Sequence, residues 1–466
     1  MVLGIILSLA LLTYIAYKGY SVILFAPVCA LVAAVIDGNA IMPSYTELFM
    51  INAVTYVKNF FPVFLLGAVF GKVMEDSGAA RSVAKAIAGT LGPQRGIMAV
   101  VLAAAVLTYG GVSLFVVAFA VYPFAAALFE QADYPRRLIP GSIALGAFGF
   151  TMTATPGSPQ IQNMIPAKYF NTDAFAAPLF GIVGAIIIFA VGVAWLEYRK
   201  RKMIAAGEGY GEKDTRVQAA VAKDDIPDIG AGLACLPLAT VLVLNFILTK
   251  VIKDWDSAIM DKTANLALAA KVVPVANWAL IIALIAGIVL AIILSGRQFK
   301  ARGNLQTALN AGAIGSLLAI MNTASEVGYG NVIRSLSGFT TVREALMGIK
   351  ILDTPLISES IAVNVLAGIT GSASGGMSIA LEAMGAEYLN WANAVGLNPE
   401  LLHRVAAMSS GGFDTMPHNG AVITLLAICG MTHKKSYPDL GMVSLVVPFL
   451  TTLVLIVIWT ILGLQF

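Results

Sequence analysis

The sequence predicts an all-α polytopic membrane protein, and three observations lead there. Of 466 residues, 58% are hydrophobic and only 12% charged, about half the charged share of a soluble domain. Apolar runs long enough to cross a hydrocarbon core of about 30 Å recur along the whole chain. Several of those runs are broken by Gly, Pro, Ser and Thr rather than by charged loops. A chain so poor in charge has no means of covering a water-facing surface. Its net charge of +3 points to no nucleic-acid partner. Mean hydropathy, at +0.84, agrees.

Taken in order, clear spans fall at 2–17, 20–37, 49–71, 177–196, 230–250, 275–295 and 441–462. The first has no basic flank before it and no small-residue cleavage pattern after it, so it reads as a retained span. Between the clear spans lie interrupted apolar stretches at 94–131, 136–175, 304–338, 342–394 and 398–432. About eleven to thirteen spans are expected in all. Cys29, Cys235 and Cys429 each lie in apolar sequence and read as small buried hydrophobes, without disulfide or metal spacing.

One segment is hydrophilic. Residues 197–229 open with four consecutive basic residues, Arg199 to Lys202, directly after a span. The excess of positive charge on cytoplasmic loops places this linker inside. It divides the chain into an N-terminal membrane repeat, 1–196, and a C-terminal membrane repeat, 230–466. Residues 74–89 match 324–338 in the order of Gly78 with Gly328 and Gly89 with Gly338. Gly149-Phe150-Thr151 likewise falls on Gly412-Phe413-Asp414. Basic residues Lys72, Arg81 and Lys85, and later Arg297, Lys300 and Arg302, place the two matched segments on opposite sides of the membrane. That is an inverted-topology repeat, an arrangement that builds a midplane site in many secondary transporters.

Four clusters of helix breakers with hydroxyls or amides sit inside apolar sequence, two per half: 108–113, 151–159, 370–376 and 414–420. Irregular backbone at membrane depth is tolerated only inside protein or along a wet cavity. The broken ends aim backbone N–H groups and helix dipoles at anions. Candidate substrate-binding residues are therefore Tyr109, Gly110, Gly111, Ser113, Thr153, Thr155, Pro156, Ser158, Gly371, Ser372, Ser374 and Asn419. None of the clusters contains arginine, although Arg136, Arg137 or Arg404 could approach in space. The bland alternative for any one cluster is tight helix packing by small residues.

Ionisable residues in apolar sequence each need a reason, because a charge at a helix centre costs at least about 2.5 kcal/mol on insertion scales. Asp414 and His418, four residues apart, and Glu326 are candidates for ion coupling. Asp353, Glu359 and Glu382 read as helix-end, lumen-facing or interfacial residues, and His403 as an ordinary loop or helix-end residue. The sequence lacks HExxH and GxxxxGK[ST], so neither a zinc peptidase nor ATP-driven transport by this chain is supported. No cofactor or metal is implied, and a transporter is expected rather than an enzyme or a channel.

Residues 71–80, 108–113, 149–160 and 412–420 resemble the gluconate:proton symporter (GntP) family, and the resemblance runs over nearly the whole length. It implies two inverted repeats, re-entrant hairpins and a transport domain that moves against a scaffold, often in a homodimer. It also implies hydroxycarboxylate substrates driven by protons, with sodium the other candidate ion, in the inner (plasma) membrane. Gluconate members carry a charge near the first interrupted helix, where this chain reads Tyr109 to Ser113. The branch of 3-hydroxybutyrate permeases is therefore the closer resemblance, with gluconate or another sugar acid as the alternative.

Overall fold

The computed structural model describes residues 2–18, 20–211, 229–262, 275–302, 305–417 and 419–464. Helices dominate these residues, with no strand among them. The first half runs α1 (Val2–Tyr17), α2 (Val22–Ile36), α3 (Ile41–Asp76), α4 (Ala79–Leu91), α5 (Gly96–Tyr109), α6 (Leu114–Gln131), α7 (139–153), the short α8 (Ile165–Phe170) and α9 (Pro178–Ala205). The second half runs α10 (Ala231–Lys262), α11 (Val275–Leu294), the short α12 (Gly296–Arg302), α13 (Leu305–Ser335), α14 (Phe339–Met347), α15 (Pro355–Thr370), α16 (Ala373–Ala394), α17 (Pro399–Ser410), α18 (Gly420–Ile428) and α19 (His433–Ile461). Each clear span expected from the sequence is a helix, and five described helices are long and apolar enough to cross a membrane on their own. A sixth forms if α4 and α5, bent by 106° at Gly92, count as one broken span.

The order of elements in the first half returns in the second. A long helix, α3 or α13, gives way to a short amphipathic one, α4 or α14. A helical hairpin follows, α5–α6 or α15–α16, and then a helix that breaks, α7 or α17. A short helix resumes after the break, α8 or α18, and a long apolar helix, α9 or α19, closes the half. Gly149 and Gly412, aligned by sequence, both leave helical backbone, with φ −84° and ψ −122° in one and φ −84° and ψ −90° in the other.

Helices α3 and α13 pack against each other, α2 joins α13, and the α10–α11 pair joins α3. This layer faces the hairpins and broken helices mainly through α13 against α16. On α9, Leu179, Ile182 and Ile186 are exposed at helical spacing, a stripe that fits lipid because hydrocarbon exacts no penalty for it. At the end of α13, Ser337 donates from its hydroxyl and backbone N–H to Asp37, which holds that carboxyl below its usual range.

Three expectations need correction. Helix α9 continues to Ala205 through the basic run, because Arg199 pairs with Asp439 at 2.6 Å and Lys200 lies over the Tyr134 ring. The first nine residues of the expected linker are therefore helical, and residues 212–228 lie outside the described residues. Residues 250–262 extend α10 beyond the expected span 230–250. Cys29 and Cys429 are buried, whereas Cys235 is exposed on α10, where lipid accepts it.

Candidate functional site

Each hairpin tip meets the break that follows it in the chain. In the first half, α5 ends at Gly110, and Gly111 takes a positive φ of 93° before Ser113 starts α6. Glycine suits that reversal, since a side chain there is strained. Gln160 reaches across and donates from Nε2 to the Thr108 carbonyl at 2.8 Å. The Tyr109 hydroxyl donates to the Pro156 carbonyl at 2.9 Å. Thus Tyr109, Gly110, Gly111, Ser113 and Pro156 come together. Ser158 is fully buried nearby with a hydroxyl that has no hydrogen-bond partner.

The second half repeats this junction. Gly371 closes α15 with a φ of 64°, and Ser372 begins α16 at once, its Oγ accepting from the Gly375 N–H at 3.1 Å. Asn419 donates from Nδ2 to the Gly371 carbonyl at 2.7 Å. Its Oδ1 accepts from the N–H groups of Ala421 and Val422, so the same side chain caps α18. An amide from the break thus ties down a hairpin-tip carbonyl in both halves. Ser374 lies 3.2 Å from Thr323 of α13. Gly375 leaves the space that the Glu326 carboxylate fills, since a Cβ there would overlap it.

The two junctions are linked through α17. The Arg404 side chain, fully buried, donates to the Asn163 side-chain oxygen at 2.7 Å and to the carbonyls of Ala174 and Ala176. It also reaches the Thr153 carbonyl at 3.4 Å. A Cβ on Gly411 would touch Thr153, so the two breaks pass close to each other. Arg404 is therefore committed mainly to the segment around α8, Asn163 before it and the carbonyls of the loop that follows it. His403 corrects the sequence reading: it is buried inside α17, with Nδ1 2.7 Å from the Thr172 hydroxyl and Nε2 facing Asn163. The loop after α8 folds back over α17 and covers it, which sequence spacing does not reveal.

The YxjC protein of Bacillus subtilis, named an uncharacterized transporter, is 46% identical over 457 residues, which cover 95% of this chain and 95% of that one. This chain belongs to the YxjC transporter family. An uncharacterized transporter of Haemophilus influenzae is 29% identical over 182 residues, covering 39% of this chain and 40% of that one. No protein-family model matches the chain. Among solved structures, MtrF of Neisseria gonorrhoeae, reported to illuminate a class of antimetabolite efflux pumps, superposes with a TM-score of 0.52 at 13% identity, over 88% of this chain and 83% of that one. The YdaH transporter of Alcanivorax borkumensis, reported with an unusual topology, gives 0.51 at 16% identity over 90% and 88%. These two likenesses concern the fold.

Within this membrane transporter, the acidic candidates fall in different places. Asp414 sits in the one-turn helix Phe413–Thr415 inside the second break, 6% exposed, with Oδ1 unpartnered. His418, expected to work with Asp414, lies outside the described residues. Glu326 is 2% exposed, at the second hairpin tip, and its Oε2 is unpartnered. Glu359 is fully buried near the start of α15 with both oxygens unpartnered. Asp353 does sit in a turn before α15, and Glu382 lies midway along α16 beside Lys168 and Tyr169.

The candidate hydroxyls are partly engaged. Thr153 and Thr155 donate to the carbonyls of Gly149 and Phe150. Their lone pairs remain, but their protons are directed into the helix. Sequence reading missed Gln160, Asn163 and Thr323. Gln160 follows Pro159, and Asn419 follows Pro417 by two, so the shared signal was an amide just past a proline in each break.

Proposed function

We propose that this transporter is a proton-coupled symporter of small hydroxy monocarboxylates such as 3-hydroxybutyrate, working in the inner membrane as a homodimer by an elevator-type movement. What carries the reading is the pair of repeat-related junctions, where an amide, hydroxyls and broken-helix N–H groups converge on a hairpin tip. The amides and the threonine and tyrosine hydroxyls bond to backbone carbonyls in this structure, and one substrate carboxylate and hydroxyl would take over those donors without a fixed charge that would hold the anion too tightly. Arg404 is occupied by backbone carbonyls, which argues against a bidentate arginine clamp on a di- or tricarboxylate. The resemblance to gluconate:proton symporters favours the same class and the same division into 1–196, 197–229 and 230–466. Substrate contacts fall to Tyr109, Gly110, Gly111, Ser113, Thr153, Thr155, Pro156, Ser158, Gly371, Ser372, Ser374 and Asn419. Asp414 and Glu326 serve ion coupling, since a buried unpartnered carboxylate is costly unless it takes up a cation, and His418 joins them because an imidazole changes charge near neutral pH.

Counterflow of radiolabelled 3-hydroxybutyrate, gluconate and citrate in proteoliposomes tests this directly. The expected result is exchange of 3-hydroxybutyrate, stimulated as net uptake by an inward proton gradient and indifferent to sodium. Exchange of citrate in place of 3-hydroxybutyrate would defeat the substrate reading, and a sodium requirement would defeat the coupling reading. For Asp414→Asn, uptake driven by a pH gradient is expected to vanish while exchange at equal pH persists.

A further inference from the structure

Beside the start of α1 and the end of α13, a cavity of about 370 Å³ opens against the hairpin α15–α16. Val2, Ile5 and Leu9 of α1 line it three and four residues apart, so they form one stripe along that helix. Ala362, Val365 and Ile369 of α15 line it with the same spacing. Each stripe covers about 10 Å of helix. The cavity is therefore a slot that runs along the helices, not a round void. Phe339, Val342 and Leu346, the apolar stripe of the amphipathic α14, close one side. Gly330 and Ile333 of α13 meet Ile379 of α16 on another.

The wall is hydrocarbon. Of the residues that line it, only Tyr329 and Thr341 carry hydroxyls; that of Tyr329 meets the Ser8 hydroxyl at 3.1 Å, and Thr341 is exposed. Buried water needs several polar partners, which this wall does not offer. Val365 of α15 and Ala345 of α14 are exposed, so the slot opens to the surface of a membrane domain, where the medium is lipid. Charge stands at one end of it. Ser337, just past α13, bonds to Asp37, and a Cβ on Gly4 would meet Ile36, so the end of α13 is level with the start of α1. There Arg334 is exposed, four residues beyond Gly330 and hence on the face of α13 that lines the slot. Arg343 of α14 is paired with Glu387 at 3.3 Å, and Glu344 is exposed on α14. An apolar face beside charged residues is the make-up of a helix that lies along a membrane surface.

We propose that this slot is a phospholipid site, in which one acyl chain of an anionic phospholipid lies between the helices with its phosphate at Arg334. The elongated shape fits a hydrocarbon chain, the opening faces the bilayer that supplies it, and the cation stands at the end where a headgroup belongs. The site does not depend on which substrate is carried. Its place gives it a consequence. A Cβ on Gly330 would lie 3.0 Å from Ile379, so α13 and α16 pack directly beside the slot. The acyl chain lies in that seam, one helical turn from Glu326, and fills its open end. Contact between the long helices and the hairpin is thus completed by lipid.

Photolabelling of the purified full-length protein in mixed micelles tests this, with phosphatidylglycerol that carries a diazirine at its acyl terminus. The expected product, located by mass spectrometry, is an adduct on the peptides that contain Leu9 or Ile369, at the end of the slot nearer the hairpin tip. Adducts on the exposed stripe of α9, around Ile182 and Ile186, report ordinary lipid contact in the same sample. Ala362→Leu fills the slot from within and is expected to lower the slot adduct by about tenfold or more relative to the α9 adduct, because a packed wall resists added volume. Ala345→Trp obstructs it from an exposed position, should the buried variant fail to purify as a monodisperse species. Arg334→Gln is expected to lower the slot adduct by about fivefold, the share of one basic side chain near an anionic headgroup. Adducts confined to α9 overturn the site, and so does a slot adduct that survives both filling variants. An unchanged yield in Arg334→Gln also overturns the proposal, because the slot then takes any hydrocarbon tail, detergent included.

Discussion

Asn419 accepts from two backbone N–H groups with one end of its amide and donates to the Gly371 carbonyl with the other. Replacing it with alanine removes a helix cap and a hairpin contact together, each worth about 1 kcal/mol. Asn419→Ala is expected to lower the thermal midpoint in detergent and to reduce transport more than it reduces stability. Asn419→Asp keeps the acceptor but sets a carboxylate against the Gly371 carbonyl, so it is expected to retain the cap and lose the hairpin. A normal transport rate in Asn419→Asp would show that the contact is not needed. Gln160→Glu makes the same comparison at Thr108 in the first half. The candidate residues were legible at this scale wherever breakers and hydroxyls share a short stretch of sequence. Arg404, His403 and Asn163 were not, because their partners lie more than 200 residues away along the chain for the arginine and histidine.

The hairpin α15–α16 closes because one glycine ends the first helix and the next residue caps the second. Its arms approach until a Cβ on Gly376 would overlap the backbone of Ala367. Gly376→Ala must therefore push the arms apart, at about 1–3 kcal/mol, and is expected to abolish transport. Gly315→Ala on α13 is the control, since nothing lies within 4 Å of a Cβ there. Equal activity in the two variants would rule out close arm packing as a requirement. Sequence patterns found the broken stretches but did not say which arms pair. A small residue facing lipid and one facing a neighbouring backbone look alike until the second element is present.

Across the whole molecule, the order of elements in 41–205 recurs in 305–461, and the charge pattern predicts opposite orientations for the two copies. Ala206 and Ser335 are both exposed, at the ends of α9 and α13. In a Cys235→Ala background, which removes the exposed native thiol, Ala206→Cys and Ser335→Cys are expected to react with an impermeant maleimide from opposite sides of the membrane. Labelling of both from one side would refute the inverted orientation.

The sequence by itself determined that the chain lies in a membrane, where its long helices run, where they break and that the halves are related. Those features depend on local composition and period, which hydrocarbon enforces because unpaired backbone cannot face it. Only the tertiary structure decided that each tip bonds to its own half's break, that Arg404 serves backbone carbonyls rather than an open cavity, and that Glu326 lies behind Gly375. Those facts depend on which surfaces come within hydrogen-bonding distance after hundreds of intervening residues have folded, and no local pattern along the chain encodes that distance.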